Sequence, residues 1–482
     1  MKLTDFPGWA GYNVARSLDP KKYQAVVVSP RSYFVFTPLL ASTSVGTLEY
    51  RTALEPIRSK RSRVSFFQGW ADNVDFGSKT VTIEEAVADP HQGLALTTDR
   101  HAGKSKEDRA RERIDEAKKG KSFDMKYDKL IIAVGCYSQT FGTPGVREHA
   151  YFLKDVGDAR RIRNRLLTCF EIAALPTTRD ATRKRLLNFA VIGGGPTGIE
   201  FSAELHDIIH EDLARLYPEL IPFCKITVFD VASKVLPMFD EKLGQYAIET
   251  FKREGIDIKT ERHVEDLRPG PPSNSALEPN LDGYDEPDSG YTLKIKEEGE
   301  IGVGMVVWST GLMANPFVEQ VLSKVRQLPA DSVLYDKSTV DDPNKTKWIV
   351  KKSPRTGSVV TNNQLRVVLE PGAQDNKSRI VMKDVYALGD CGMVEDTVYP
   401  ATAQVANQKA LWLAKRLNRG DIEKEHFSFR NMGVMAYIGN WNAIFQTDSS
   451  NVSGKAAWFL WRGAYLTMSV SLRNKILIPV YW

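Results

Sequence analysis

The stretch from Leu187 to Asp230 constrains this chain more than any other. The run LLNFAVIG has no polar alternation and reads as a strand buried on both faces. Gly193, Gly195 and Gly198 follow as G-x-G-x-x-G in GGGPTG, and GIEFSAELHDIIHEDLARLY then reads as a helix. A second apolar strand, KITVFD, ends on Asp230. Strand, glycines, helix, strand and terminal acid in this order make a dinucleotide-binding unit. The first glycine permits the tight turn, the second lets the backbone approach a pyrophosphate, and the third lets the helix pack on the strand. The phosphates meet free N–H groups and the positive end of the helix dipole. Asp230 stands further past the third glycine than the usual ~20 residues, a distance absorbed by the long helix and the loop holding Pro218 and Pro222. A carboxylate there accepts from both ribose hydroxyls and repels a 2′-phosphate, which favours NADH over NADPH. The bland alternative for Asp230 is a strand-end cap.

A damaged second copy stands at the start. Gly8-Trp9-Ala10-Gly11 leads into the helical pattern YNVARSLD and the buried strand KYQAVVVS, but Phe6 and Pro7 occupy the first positions of the glycine motif. MKLTD is too polar for the central strand of a parallel sheet, so this half is expected to lack its first strand and the chain to have lost its beginning. Two later apolar strands stop at glycine, KLIIAVG (129–135) and GMVVWSTG (304–311). A third, DVYALGD, ends on Gly389 and Asp390, at the strand end where open parallel sheets admit ligands. Together these motifs imply an α/β chain with two nucleotides.

A chain of 482 residues suggests about three domains, and 42% hydrophobic with 26% charged residues excludes a mainly disordered or fibrous one. The formal charge of +5 is too small to argue for nucleic acid. Cys136, Cys169, Cys224 and Cys391 are widely spaced, so neither a disulfide framework nor a dithiol relay is expected. His206 and His210 are one turn apart but lack the H-E-x-x-H frame, and no metal site is expected. No run of about 18 apolar residues marks a membrane span, and the first residues show no targeting pattern. The mixed-charge run 99–122 and the Pro/Gly/Ser-rich run 269–290 read as solvated insertions. DSVLYDKSTVDD (331–342) has Asp336 where a calcium loop needs glycine, which excludes an EF-hand. From Ala456 onward, Trp458, Phe459, Trp461, Tyr465, Leu466 and Trp482 alternate with Arg462, Arg473 and Lys475. Such a mixture suits a helix lying in a bilayer interface, or else a core or dimer-interface helix.

These features resemble the two-dinucleotide flavoproteins, and more closely the type II (alternative, rotenone-insensitive) NADH:ubiquinone oxidoreductases of mitochondria. The resemblance is carried in order by GWAG, SPRSYFVFTPLLASTSVGT (29–47), LIIAVG, GGGPTGIE, VVWSTG, YALGD and PATAQVANQKA (400–410), which span nearly the whole chain. It implies two nested Rossmann-like domains: an FAD-binding domain at 1–155 and 365–425, and an NADH-binding domain at 156–324. An insertion at 325–364 and a C-terminal membrane-associating α/β segment at 426–482 complete the layout.

By the same resemblance FAD falls on Gly8, Ala10, Gly11, Arg31, Thr37, Ala133, Gly135, Gly389, Asp390 and Ala403. Arg31 stands near the place where other flavoproteins carry an acid, and would donate to adenosine ribose or phosphate. NADH falls on Gly193, Gly195, Pro196, Thr197, Gly198, Asp230, Thr310 and Gly311, with Glu200 orienting the nicotinamide. Gln404 and Gln408, one turn apart, would hydrogen-bond the carbonyls of ubiquinone. The implied activity is non-proton-pumping transfer from NADH through FAD to ubiquinone, by a homodimer held peripherally on the mitochondrial inner membrane. A soluble flavin reductase of a redox partner and a catalytically inactive remnant stay open as alternatives.

Overall fold

A computed structural model describes residues 3–4, 8–58, 63–88, 120–273, 290–324, 326–337, 340, 342–372 and 378–481. Most of the two solvated insertions (99–119 and 274–289), residues 338, 339 and 341, and Trp482 lie outside these.

The chain opens with strand β1 (Leu3–Thr4), helix α1 (Trp9–Ser17) and β2 (Val26–Ser29), followed by the short helix α2 (Leu40–Val45). Next come β3 (Ser65–Asp75), β4 (Leu130–Ile132) and α3 (Val156–Ala174). A second unit holds β5 (Asn188–Ile192), α4 (Pro196–Ile208), β6 (Lys225–Phe229), β7 (Ile256–Lys259) and β8 (Met305–Trp308). Then follow β9 (Ile380–Ala387), α5 (Ala403–Arg419), the strands β10 (Val434–Tyr437), β11 (Ala443–Gln446) and β12 (Asn451–Gly454), and the helices α6 (Lys455–Met468) and α7 (Leu472–Tyr481).

Among the described residues the first sheet has 12 strands, and its parallel middle runs β9, β4, β1, β2, β3. The second is a parallel sheet in the order Tyr151–Phe152, β8, β5, β6, β7. In each, the chain steps to one side through a helix (α1 or α4) and later returns on the other side of the same strand. That reversal opens a crevice beyond the strand's C-terminal end. The second unit is nested inside the first: Cys136–Ser138 leads out and pairs antiparallel with Leu312–Ala314 leading back.

Two expectations change. The slot for the first strand is filled, because Leu3 pairs with Val27 and Thr4 with Val28 and Ile132. Parallel pairing uses main-chain N–H and C=O groups, so polarity of the flanking residues does not forbid it. The segment 325–364 is likewise no appendage. Val333–Tyr335 pairs with β9, and Trp348–Val350 and Val359–Thr361 pair with Arg366–Pro371, all in the first sheet.

The C-terminal part packs inward. Trp458 and Trp461 are buried in one continuous core with Leu40 of α2, Phe201 of α4, and Ala436 and Ile444 of the C-terminal sheet. Those two tryptophans therefore do not face a bilayer: at 3.6 residues per turn one face of α6 buries while Phe459 and Leu460 turn outward. On α7, buried Asn474 donates to Glu55 at 2.9 Å, leaving Leu472, Ile476 and Val480 exposed at i, i+4 and i+8. No described helix is long and apolar enough to cross a membrane.

Trp348 is fully buried and donates from Nε1 to Pro343 O at 3.0 Å. Trp348→Ala is expected to cost about 3–5 kcal/mol in urea denaturation. A cost below about 1 kcal/mol would show that the segment is peripheral to the first sheet.

Candidate functional site

At the first crevice α1 starts at Gly8 with no side-chain cap, so its leading N–H groups keep their capacity for an anion. A Cβ on Gly8 or Gly135 would meet nothing within 4 Å, whereas Ala10, Gly11 and Ala133 are buried beneath. Gly389 takes φ +72°, and a Cβ there would lie 3.4 Å from the Ala10 methyl, so the turn after β9 rides closely over α1. Open backbone at Gly8 and Gly135, an uncapped helix start and Asp390 at the strand end fit a dinucleotide such as FAD.

Several residues assigned to that site are already engaged. Arg31 donates through Nη1 to Asp155, the buried N-cap of α3, whose other oxygen accepts from the Tyr33 hydroxyl at 2.9 Å. Thr37 accepts from Trp9 Nε1 at 3.0 Å. Asp390 accepts from the Cys136 thiol at 3.0 Å, and Lys154 Nζ lies 3.2 Å from the same sulfur. Burial, then the Asp390 charge, pushes Cys136 up to about 12, so this thiol is protonated and not a nucleophile. Nothing in local spacing marks Lys409 of α5, yet it is only 2% exposed and donates to Gly392 O at 2.8 Å. Burial pulls its ammonium down to about 8.

At the second crevice α4 starts at uncapped Gly195 with Pro196 in its first turn, and Thr197 is exposed beside them. A Cβ on Gly198 would fall 2.0 Å from Gly193 O, and one on Gly193 would fall 2.5 Å from Ser309 O. Only glycine lets β5, α4 and the end of β8 meet this closely. Asp230 ties the loop from the far side, accepting from Gly194 N at 2.5 Å and Ala232 N at 2.7 Å. Each of its oxygens keeps a further lone pair for a ribose hydroxyl. The Thr310 hydroxyl donates to Gln139 O at 2.7 Å, and Gly311 O accepts from Gln139 N at 2.8 Å.

Glu200, Glu204 and Asp207 share one face of α4 at i, i+4 and i+7. Glu200 Oε1 accepts from Tyr437 N at 3.2 Å and Trp461 Nε1 at 3.3 Å, so its partners lie in the C-terminal part. Glu204 accepts from Ser42 Oγ at 2.6 Å and Thr47 Oγ1 at 2.9 Å, which joins α4 to the 37–47 stretch of the first unit. Asp207 accepts from the Tyr437 hydroxyl at 2.5 Å. Burial pushes Glu200 up to about 8 and Glu204 up to about 7. The helical spacing of the three acids is visible in the sequence; their partners at 42, 47, 437 and 461 are not.

Ala403 opens α5 behind the Thr402 cap. The two glutamines beyond it do not present free amides. Gln404 accepts from Met432 N at 2.8 Å and donates to Gly433 O at 3.2 Å. Gln408 accepts from Arg430 N at 3.0 Å and donates to Arg430 O at 2.8 Å. Each amide mimics a neighbouring strand, and together they clamp the connection to β10, each with one N–H and one oxygen lone pair left beyond these bonds.

Residues 7–338 match the family described as pyridine nucleotide-disulphide oxidoreductase, and 431–482 match the NDH2 C-terminal domain. The chain is 31% identical to the external alternative NAD(P)H-ubiquinone oxidoreductase B1 of Solanum tuberosum mitochondria, over 98% of this chain and 87% of that one. It is also 31% identical to the external alternative NADH-ubiquinone oxidoreductase of Yarrowia lipolytica mitochondria, over 98% and 77%. The chain belongs to the type II NADH:ubiquinone oxidoreductase family. A solved NDH2 of Plasmodium falciparum in complex with NADH shares the fold, with a TM-score of 0.74, 21% identity, and coverage of 100% of this chain and 97% of that one.

For this member of the family, Gln404→Ala and Gln408→Ala should each cost about 1–3 kcal/mol in denaturation, since each removes two hydrogen bonds. Amide exchange should accelerate selectively at residues 430–433. Unchanged exchange there would show that the amides do not clamp the connection.

Proposed function

We propose that this chain is a peripheral, non-proton-pumping NADH:ubiquinone oxidoreductase of the mitochondrial inner membrane, acting as a homodimer. The observation that supports it best is the Ser42–Glu204–Thr47 tie, which holds the helix opening the second crevice against the helix beside the first. Two dinucleotides bound in those crevices are thereby kept in one rigid body, as transfer between them requires.

When bound, FAD accepts the hydride of NADH and supplies two electrons to the quinone. The protein's own contribution is orientation and proton placement. The starts of α1 and α4 hold the two pyrophosphates, Asp230 takes the ribose hydroxyls of NADH and repels a 2′-phosphate, and Asp390 closes the FAD side. Quinone reduction consumes two protons, of which the hydride accounts for one. Glu200 is suited to supply the other: Oε1 is occupied by two N–H donors, so its proton sits on Oε2. At pH 7 it is largely a neutral acid. Phe459, Leu460 and the Leu472–Ile476–Val480 row form the surface that meets lipid, from which the quinone arrives.

The decisive experiment is anaerobic addition of NADH to the purified, FAD-loaded protein, followed by a short-chain ubiquinone. Flavin absorbance should bleach and then return; a flavin that NADH leaves unchanged sinks the proposal. Turnover should fall as pH rises through about 8, where Glu200 loses its proton, and Glu200→Gln should be slow and lack that limb. Because Glu200 and Glu204 hold protons more tightly folded than unfolded, their contribution to stability is full below the ordinary carboxyl range. It is lost as pH rises through about 7 to 8. Glu204→Gln should therefore narrow the difference in melting temperature between pH 6 and pH 9. Replacing Leu472, Ile476 and Val480 by serine should abolish flotation with anionic vesicles without changing flavin reduction by NADH. Undiminished flotation would place the lipid-contacting face elsewhere.

A further inference from the structure

Phe141 combines two unfavourable features. It is 66% exposed, and its φ is +56°, a left-handed conformation that bulky side chains avoid. With Gly142 at φ +70° and Thr143 N donating to Thr140 O at 3.0 Å, it forms a turn with two successive left-handed residues. Asparagine or glycine ordinarily fills the position Phe141 holds there.

The surroundings over-determine this conformation. Phe141 N donates to Gln139 Oε1 at 3.1 Å, and Gln139 O accepts from both Trp308 Nε1 and Thr310 Oγ1, at 2.9 and 2.7 Å. The turn is thus fastened to the end of β8, whose next residue, Ser309, touches Gly193 of the phosphate loop. A Cβ placed on Gly311 would meet one atom within 4 Å, the tip of the Phe141 ring at 4.0 Å. The Phe141 ring tip thus stands beside Gly311, in the loop that follows β8 at the C-terminal ends of the strands that frame the second crevice. Strain kept at such a place points to a ligand contact.

We propose that Phe141 is a binding residue for the dinucleotide, its ring packing on the nicotinamide-ribose end where that end crosses Gly311. The chemistry is apolar contact with a flat heteroaromatic ring or its ribose, which requires no charge on the protein. This inference rests on the assignment of NADH to the second crevice.

The test uses the FAD-loaded protein and calorimetric titration with NAD⁺, alongside kcat/KM for NADH and KM for a short-chain ubiquinone. Phe141→Ala should weaken NAD⁺ binding and lower kcat/KM for NADH about two- to tenfold while leaving the quinone KM unchanged. Phe141→Asn and Phe141→Gly suit the turn and should lose NAD⁺ affinity equally, with melting temperatures no lower than that of the parent. NAD⁺ affinity unchanged in all three variants overturns the inference while leaving the NADH assignment standing. Melting temperatures lowered in the asparagine and glycine variants overturn it too, since they show that the ring serves packing. A parent protein that binds no NAD⁺ and oxidises no NADH overturns the assignment and this inference together.

Discussion

A buried carboxyl holds this structure in one piece. Glu204 projects from α4 into the first unit and accepts from two hydroxyls, Ser42 and Thr47, on the segment beyond the FAD crevice. A carboxyl group taken out of water is costly unless its oxygens are satisfied, and here each oxygen has one donor. The geometry is therefore specific: α4 cannot slide or rotate on α2 without leaving Glu204 unpaired. Two nested dinucleotide-binding units, which could otherwise rock on the paired connections at 136–138 and 312–314, are set at a defined angle.

The same face of α4 also organises the C-terminal part. Glu200 receives Tyr437 N and Trp461 Nε1, and Asp207 receives the Tyr437 hydroxyl. One helix thus carries an uncapped N-terminus at the glycine turn, a link to the first unit and a link to the region bearing the exposed apolar row. Burial holds Glu200 and Glu204 well above the ordinary carboxyl range. That spares this helix face two carboxylate anions. Gln404 and Gln408 complete the assembly from α5 by clamping the chain at 430–433 before it enters β10.

Much of this was legible from spacing. The run from Leu187 through Gly198 to Asp230 implies strand, turn, helix and strand, and those elements form as β5, α4 and β6. The strands ending at Gly135, Gly311 and Asp390 reach the crevices because small residues at strand ends leave room there. What misled was polarity taken as a guide to pairing. MKLTD was too polar for a central strand, yet Leu3–Thr4 pairs on both sides through its backbone. Trp458 and Trp461 suited a bilayer interface, yet they lie in the core, because the choice of buried face depends on what packs opposite.

Local patterning by itself determined the two glycine-led helix starts and the acid at Asp230, whereas the nesting of one unit within another came from the family resemblance. The helix starts and the acid depend on residues close in sequence, where glycine's lack of a Cβ and the strand and helix periods leave few alternatives. Only the tertiary structure decided the partners of Glu200, Glu204, Arg31, Gln404 and Gln408. Each partner stands tens to hundreds of residues away, and a side chain with several donors or acceptors carries no record of which distant group will reach it. Whether such a group faces a ligand or fastens the frame is settled when the chain closes around it.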